Sequence, residues 1–419
     1  MKKTLLVSAL AVSFAGVAHA ESSVTLYGIV DAGISYTQTK TTGVSIVTGR
    51  DTDGNDIKAV GTKKTRNFGL KNGAKQQSRF GLKGIEELGN GTAAIFQLES
   101  GFDLETGSTG KSLFNRRAII GLTGESWGTL TIGRQHNVAD DILAPIDPFG
   151  TDWGQAGANS TFGGSISAVQ TPTIKYLSPN FEGFKFGLAV SGSDNKTKET
   201  VNGVTTNRKK QEGGVSVGLG YDNGPLALAA TFDYSRSKGT NLLNDDGAKI
   251  DNYDSKAKAW AVGAAYDFDV VKLHLGYGQQ RDGFVADVNN YDTTSKERDV
   301  NKYGLFDATQ QVAHIIYGGA DISNKGLRAQ SWFGGFTVPV ADNGKALFSY
   351  QGGRIKHNAN KFGGARVNTH IYSLGYQHDL SKRTNVYVLG SYGEAKSSGY
   401  ERKVKSRTTQ AIVGLQHHF

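Results

Sequence analysis

Four carboxylates, Asp140, Asp141, Asp147 and Asp152, crowd one short stretch of this 419-residue chain. Clustered acids serve acid–base catalysis, cation binding or the shaping of an electrostatic field. Their setting narrows the choice. The connection from Asn137 to Thr171 also holds Ile142, Leu143, Pro145, Ile146, Pro148, Phe149 and Trp153, followed by a Gly/Ser-rich tract. A wholly exposed loop has no use for such apolar anchors. Burying them against a wall would turn the carboxylates toward the space that wall encloses. Other chemistry fails on spacing. Gly107 to Ser112 ends like a phosphate-binding loop, but Glu105 stands where its first Gly is needed. Asp51 to Asp56 resembles a calcium loop with its Gly two positions early and no bidentate Glu in place. The nine His include no His-Glu-x-x-His pair, and His417 and His418 would point to opposite faces of one strand. With no Cys, thiol chemistry is excluded. No cofactor, no metal and no catalytic constellation is expected.

The elements that must position these residues are strands. Val24, Leu26, Val30, Ile34 and Tyr36 share one parity, and Thr25, Tyr27, Asp31 and Ser35 the other. At the far end Thr409, Ala411, Val413, Leu415, His417 and Phe419 alternate in the same way. Such segments recur along the chain. Seven short turns rich in Gly, Asn and Asp separate them: 87–91, 123–126, 178–180, 221–225, 267–269, 342–344 and 379–382. The other connections are long and polar, at 38–77, 194–212, 238–256 and 283–326. Seven short turns plus an opening and a closing strand predict sixteen antiparallel strands in a transmembrane β-barrel, with both termini on the short-turn side. The mean hydropathy of −0.38 fits a barrel, where only alternate side chains meet lipid. The 56 Gly, 17 Tyr and 20 Phe against 6 Pro fit as well. Residues 1–20 have the form of a secretory signal peptide: Lys2 and Lys3, an apolar run from Leu5 to Val17, and Ala18-His19-Ala20 before the cut. Residues 21–419 would then be the barrel. The net charge of +9 falls to +7 without Lys2 and Lys3. Export and the scatter of the charges argue against a nucleic-acid partner.

Several segments resemble one family in order along the chain. They are Val24 to Gly28, SRFGLKGIEELGNGTAAIFQLESGF from Ser78, FNRRAIIGLTGESWGTLTIGRQ from Phe114, IKYLSPNFEGF from Ile174, and VGLQHHF from Val413. The chain is similar to the trimeric general-diffusion porins of Gram-negative bacteria, in their β-proteobacterial branch. That resemblance implies a sixteen-stranded barrel in the outer membrane, assembled as a homotrimer among lipid and lipopolysaccharide. It also implies a third external loop folded inward, with wall arginines facing acids on that loop. Small hydrophilic solutes and ions would diffuse through passively, without catalysis. Carried over by motif, Arg79 is the first wall arginine, and parity puts Arg79 and Lys83 opposite the outward Phe80 and Leu82. Family register gives Arg116 as the second; Arg117 falls on the outward parity and stays the alternative. Arg134 feeds the inward loop, and Asp140, Asp141, Asp147 and Asp152 form its acidic side. The third arginine of the family is missing from 168–173, where only Lys175 lies near, and the closing motif has Gln416 and His418 where Arg is usual.

The wall cations and net charge suggest a modest anion preference, opposed by the four loop acids. Two other readings of the same barrel are a substrate-specific channel and a surface adhesin acting through its long loops. Deleting 40–65 should remove adhesion and spare conductance if the adhesin reading holds. A barrel protease or lipase would instead need catalytic groups at its rim.

Overall fold

In the computed structural model, the residues described are 23–51, 56–109, 112–163, 165–202, 204–240, 252–283, 325–357, 366–399 and 402–419. The signal-peptide segment and most of 283–326 lie outside them. Seventeen strand segments form one sheet. In chain order they are β1 (Ser23–Arg50), β2 (Asp56–Asn72), β3 (Arg79–Gly89), β4 (Thr92–Gly101), β5 (Arg117–Gly124), β6 (Gly128–His136), β7 (Val169–Leu177), β8 (Phe184–Val201) and β9 (Val204–Asn223). Then follow β10 (Leu226–Thr240), β11 (Tyr253–Asp267), β12 (Lys272–Arg281), β13 (Leu327–Val340), β14 (Gly344–His357), β15 (Arg366–Asp379), β16 (Thr384–Gly399) and β17 (Arg402–His418).

The sheet closes on itself. β1 pairs with β17 from Ile29↔His418 to Thr42↔Lys405. The Gly28 amide donates to the Phe419 carbonyl at 3.1 Å, and the Phe419 amide returns the bond to Gly28 at 3.2 Å. Closure removes every unpaired edge. Seventeen segments make sixteen staves because β2 and β3 are two halves of one. β1 pairs with β3 over Ser23–Ile29 and with β2 over Ala32–Arg50. Residues 73–78 bulge out of that stave between the halves.

The period of two is explicit in the burial. On β1, Val24, Leu26 and Ile34 are exposed while Asp31 is fully buried. On β17, Val413 and Leu415 are exposed and Gln410 and Gln416 buried. A polar residue buried beside an exposed apolar one inverts the rule for a water-soluble domain. It is the rule for a barrel whose apolar outside meets lipid. Aromatic rings gather on the short-turn side, with Phe184 against Tyr221 at 4.7 Å and Tyr266 against Phe268 at 4.5 Å between centroids.

All seven predicted turns fall between strands. The long polar tracts are a different matter. Residues 38–77 are largely paired strand, the ends of β1 and β2, and 194–212 is the β8–β9 hairpin. Deleting 40–65 would therefore cut paired staves, so it cannot test adhesion cleanly.

The connection between β6 and β7 carries α1 (Val138–Ile142), α2 (Asn159–Phe162) and two short 3-10 turns, Ala144–Ile146 and Gly154–Ala156. Its anchors form the two largest cores. Leu143, Ile146, Phe162 and Ile166 pack with Ala229, Ala261, Ala265 and Phe333. Phe149, Trp153 and Ala156 pack with Ala74, Leu347, Tyr387, Leu389 and Ile412. Wall glycines make the sockets. A Cβ on Gly187 would lie 2.6 Å from Val138, one on Gly263 2.7 Å from Leu143, and one on Gly375 2.8 Å from Phe149.

Candidate functional site

The polar face of the sheet holds this connection by hydrogen bonds as well as by sockets. The Val138 amide donates to Ser216 Oγ at 3.0 Å, and Asn137 Nδ2 to Asp233 Oδ1 at 3.0 Å. His274 Nδ1 meets the Ile146 carbonyl at 2.8 Å, and Gln280 donates to the Phe162 carbonyl at 2.7 Å. Ser331 donates to the Thr161 carbonyl at 2.6 Å, and Thr161 to Gln351 at 3.1 Å. The Gln155 amide donates to Gln410 at 3.1 Å, and its side chain to Ser391 at 2.7 Å. Ser216, Asp233, His274, Gln280, Ser331, Gln351, Ser391 and Gln410, on β9, β10, β12, β13, β14, β16 and β17, thus each find a partner in the connection.

The remaining sector of that face, where β3, β4 and β5 adjoin, carries charge. Glu99 on β4 is its hub. Arg116 Nε donates to Glu99 Oε1 at 2.7 Å, and Arg79 Nε lies 3.6 Å from Glu99 Oε2. The Tyr27 hydroxyl donates to Oε2 at 3.0 Å. Arg116 also donates to Gln77 at 2.7 Å. The Arg117 guanidinium reaches across to Asp140 of α1 at 3.5 Å and to Gln97 at 3.4 Å. Lys83 Nζ stands 5.7 Å from the centre of the Tyr27 ring. Farther round, Lys175 Nζ pairs with Asp141 at 2.7 Å and donates to the His136 carbonyl at 3.2 Å. A guanidinium pairs with a carboxylate through fixed, charge-assisted bonds. The cluster is therefore a rigid field, with three guanidiniums ranged around two carboxylates.

Two assignments by motif change. Arg116 and Arg117 both belong to the cluster. Ile120 and Leu122 are exposed, so Arg117 shares the inward parity with Gly121, and its side chain is only 12 % exposed. Arg116 precedes the strand and is not bound by its period. Arg134 moves the other way. It shares parity with the exposed Leu130 and Ile132, sits opposite Ala118, and donates to the Asn115 carbonyl at 2.8 Å. Gln135, on the parity of the buried Thr131, takes the polar face instead. Glu99 was not singled out from the sequence. Its signal was available: it shares lumen parity with Gln97, flanked by two strands bearing arginines.

The loop acids divide. Asp140 and Asp141 pair with wall cations, and Asp152 is exposed with Asn159 Nδ2 at 3.3 Å. Asp147 is buried and accepts from the Phe149 amide at 3.1 Å and the Ala158 amide at 2.6 Å. It ties the two ends of the turn together and faces no wall arginine. Burial, the dominant cause, pushes its carboxyl up to about 8. A raised folded pKa means that the folded state holds this proton longer than the unfolded state does. The stability it contributes is full below the ordinary carboxyl range and is lost as pH rises through about 8. The thermal midpoint, followed by Trp fluorescence, is expected to fall from about pH 4 to about pH 8 and to level off above it, and Asp147→Asn is expected to flatten that slope.

Residues 7–399 match the Gram-negative porin family. The chain belongs to the Gram-negative porins. An outer membrane porin protein of Bordetella pertussis is 36% identical over 426 residues, covering 100% of both chains. Outer membrane porin protein 32 of Delftia acidovorans is 27% identical, again over 100% of both. Among solved structures, an anion-selective porin from Comamonas acidovorans aligns at a TM-score of 0.60 with 23% identity, over 95% of this chain and 100% of that one. The porin is thus a multi-pass β-barrel of the outer membrane and a passive diffusion channel, and the charged sector described above lies on the wall of that channel.

Proposed function

We propose that the β6–β7 connection is an inward-folded third external loop, and that it narrows the channel against the charged sector of β3–β5. Ions and small hydrophilic solutes pass the gap between them down their gradients, with no catalytic step. Arg79, Lys83, Arg116 and Arg117 form the positive wall, with Glu99 embedded in it. Asp140 and Asp152 form the facing negative side, and the Lys175–Asp141 pair closes one flank. Asp147 shapes the loop without entering the gap, and Arg134 lies outside it. The observation that carries this reading is the meeting of wall and loop charges at Arg117 and Asp140.

The balance of the cluster favours anions modestly, since three guanidiniums outnumber the two carboxylates paired with them. The Comamonas porin is described as anion-selective, which agrees with that sign. Assembly as a homotrimer and contact with lipopolysaccharide follow the family, and a related barrel of Vibrio cholerae is described in a trimer form. Removal of residues 1–20 on export completes the reading. Reconstitution in a planar bilayer is expected to give steady ohmic conductance, with a reversal potential in a KCl gradient of anion-preferring sign. No conductance would overturn the channel, and a clear cation preference would overturn the sign.

A further inference from the structure

On the polar face of β15, β16 and β17, beside the tip of the β6–β7 connection, three amide oxygens and two aromatic rings converge on one point. The Lys75 ammonium occupies it. Its Nζ donates to Gln377 Oε1 at 2.6 Å, to Asn385 Oδ1 at 3.1 Å and to Gln416 Oε1 at 3.1 Å. The rings of Trp153 and Tyr387 stand 5.4 and 5.7 Å from the same nitrogen. Each amide is turned oxygen-inward because its NH2 group is engaged elsewhere. Gln377 Nε2 donates to Asp379 at 2.6 Å, Asn385 Nδ2 to Gln416 Oε1 at 3.2 Å, and Gln416 Nε2 to Asp31 at 2.9 Å. The Tyr387 hydroxyl also donates to Asp31, at 2.6 Å, which fixes that ring. Asp31, Trp153, Gln377, Asn385, Tyr387 and Gln416 are all buried. The cage offers only acceptors and π faces. A primary ammonium, with three donors and a full charge, satisfies it. A carboxylate or phosphate would meet oxygen on every side.

We propose that this cage is a primary-ammonium site, and that its occupant sets the width of the channel. In this chain the occupant is tethered. Lys75 enters from the bulge 73–78, and the backbone amides of Lys75 and Gln76 donate to Asp31 at 3.3 and 3.1 Å. Three separate pieces meet at the ammonium: the bulge, the indole at the loop tip, and the staves β15, β16 and β17. Ala74 joins the core around Trp153. Gln77 accepts from Arg116 of the charged sector at 2.7 Å. The bulge thus runs from a wall arginine to the loop tip, and the ammonium is the point at which it grips. An empty cage would leave buried amide oxygens short of donors and the indole without its cation, and such a site draws in water. The tip then loses its hold on the wall. Lys75 is accordingly a positioning residue for the passage of solutes. The inference rests on the narrowing role proposed for the β6–β7 connection.

Lys75→Ala removes Cγ through Nζ, a fragment equal to n-propylammonium, so the free amine is the probe. In planar bilayers the full barrel with Lys75→Ala is expected to conduct roughly 1.5-fold more than the wild type and to flicker, because the constriction has lost a fixed side. Adding n-propylammonium chloride should return it to the quiet wild-type level. Half of that effect is expected on the order of 10 mM, the range in which a free group matches a short tether. Propyltrimethylammonium has the same chain and charge but no N–H, and should not restore the level at that concentration. Neither amine should move the wild type, which separates refilling of the cage from block of the pore. Wild-type conductance and noise in Lys75→Ala would overturn the proposal. Failure of n-propylammonium to restore the level, or equal action of the two amines, would do the same. Lys75→Met keeps the stem and loses the donors, so it should conduct like Lys75→Ala and ignore n-propylammonium. Should Lys75→Ala not fold, Lys75→Met decides, and wild-type behaviour there overturns the proposal. A raised conductance in Trp153→Ala beside an unchanged Lys75→Ala would sink this inference alone. No change in Trp153→Ala would instead remove the loop reading on which it rests.

Discussion

In a KCl gradient the Arg79→Gln/Arg117→Gln double variant is expected to lose the anion preference of the wild type and reverse toward cations. Both side chains lie on the polar face, one beside Glu99 and the other beside Asp140. Removing them leaves Arg116 and Lys83 against Glu99, Asp140 and Asp152. A unit charge about 4 Å from a passing ion is worth about 1 kcal/mol in bulk water and about 4 kcal/mol at the lower effective dielectric near a protein surface. Each kcal/mol is about fivefold in relative permeability, so a change of at least that size is expected. The opposite substitution gives the opposite sign. Glu99→Gln keeps the shape and hydrogen-bonding reach of the side chain and removes one negative charge, so it should raise chloride over potassium. If both variants moved the reversal potential the same way, the cluster would not be the filter.

Trp153→Ala is expected to raise single-channel conductance and to add flickering between levels. The indole is almost fully buried, edge-on to Phe149 and Tyr387, each at 5.3 Å between centroids. Lys75 Nζ sits over its ring at 5.4 Å. That ammonium is held by Gln377 at 2.6 Å and by Asn385 and Gln416 at 3.1 Å, so the bulge between β2 and β3 clamps the tip of the loop against β15, β16 and β17. Truncating a buried Trp costs about 3 to 5 kcal/mol. Here the loss falls on the loop, because the wall is held by its own ladder of backbone bonds. Gly154, next in sequence, has φ +54° and no room for a Cβ beside Gln410, so the chain can turn the indole inward only with glycine there. Unchanged conductance and noise in Trp153→Ala would show that the loop is not the narrowing element.

Where period two was clean, the sequence was enough. Arg79 and Lys83 could be placed opposite Leu82 because polar and apolar residues alternate strictly there. Arg117 was misplaced because Ala118-Ile119-Ile120 is an unbroken apolar run, and such a run has no parity to read. Arg134 was misplaced because the motif was followed there instead of the period: it shares parity with Leu130 and Ile132, which are exposed. The extended ends of β1, β2, β8 and β9 passed for loops for a related reason. Beyond the membrane both faces of a strand meet water, so Thr and Lys stand on both and the alternation fades. Glu99 escaped because acids were sought on the loop and bases on the wall, whereas a carboxylate among guanidiniums is what holds them at fixed spacing. The joint between β2 and β3 carried no signal at all, since one stave and two look alike when the insertion is as polar as its flanks.

The loop's partners lie late in the chain. Gln155 is bonded to residues 236 and 255 positions farther on, and Ala156 to one 195 away. Those partners stand on β14, β16 and β17, so the connection cannot take its final seat before those staves are laid. Long-range contacts of this kind form late, after the shorter loops have closed. The order of folding therefore puts those staves before the connection that rests on them, while the seam between Ile29 and His418 spans a still longer stretch of chain. If the connection is the narrowing element, a barrel in which it has not yet found its sockets would be wide and unselective.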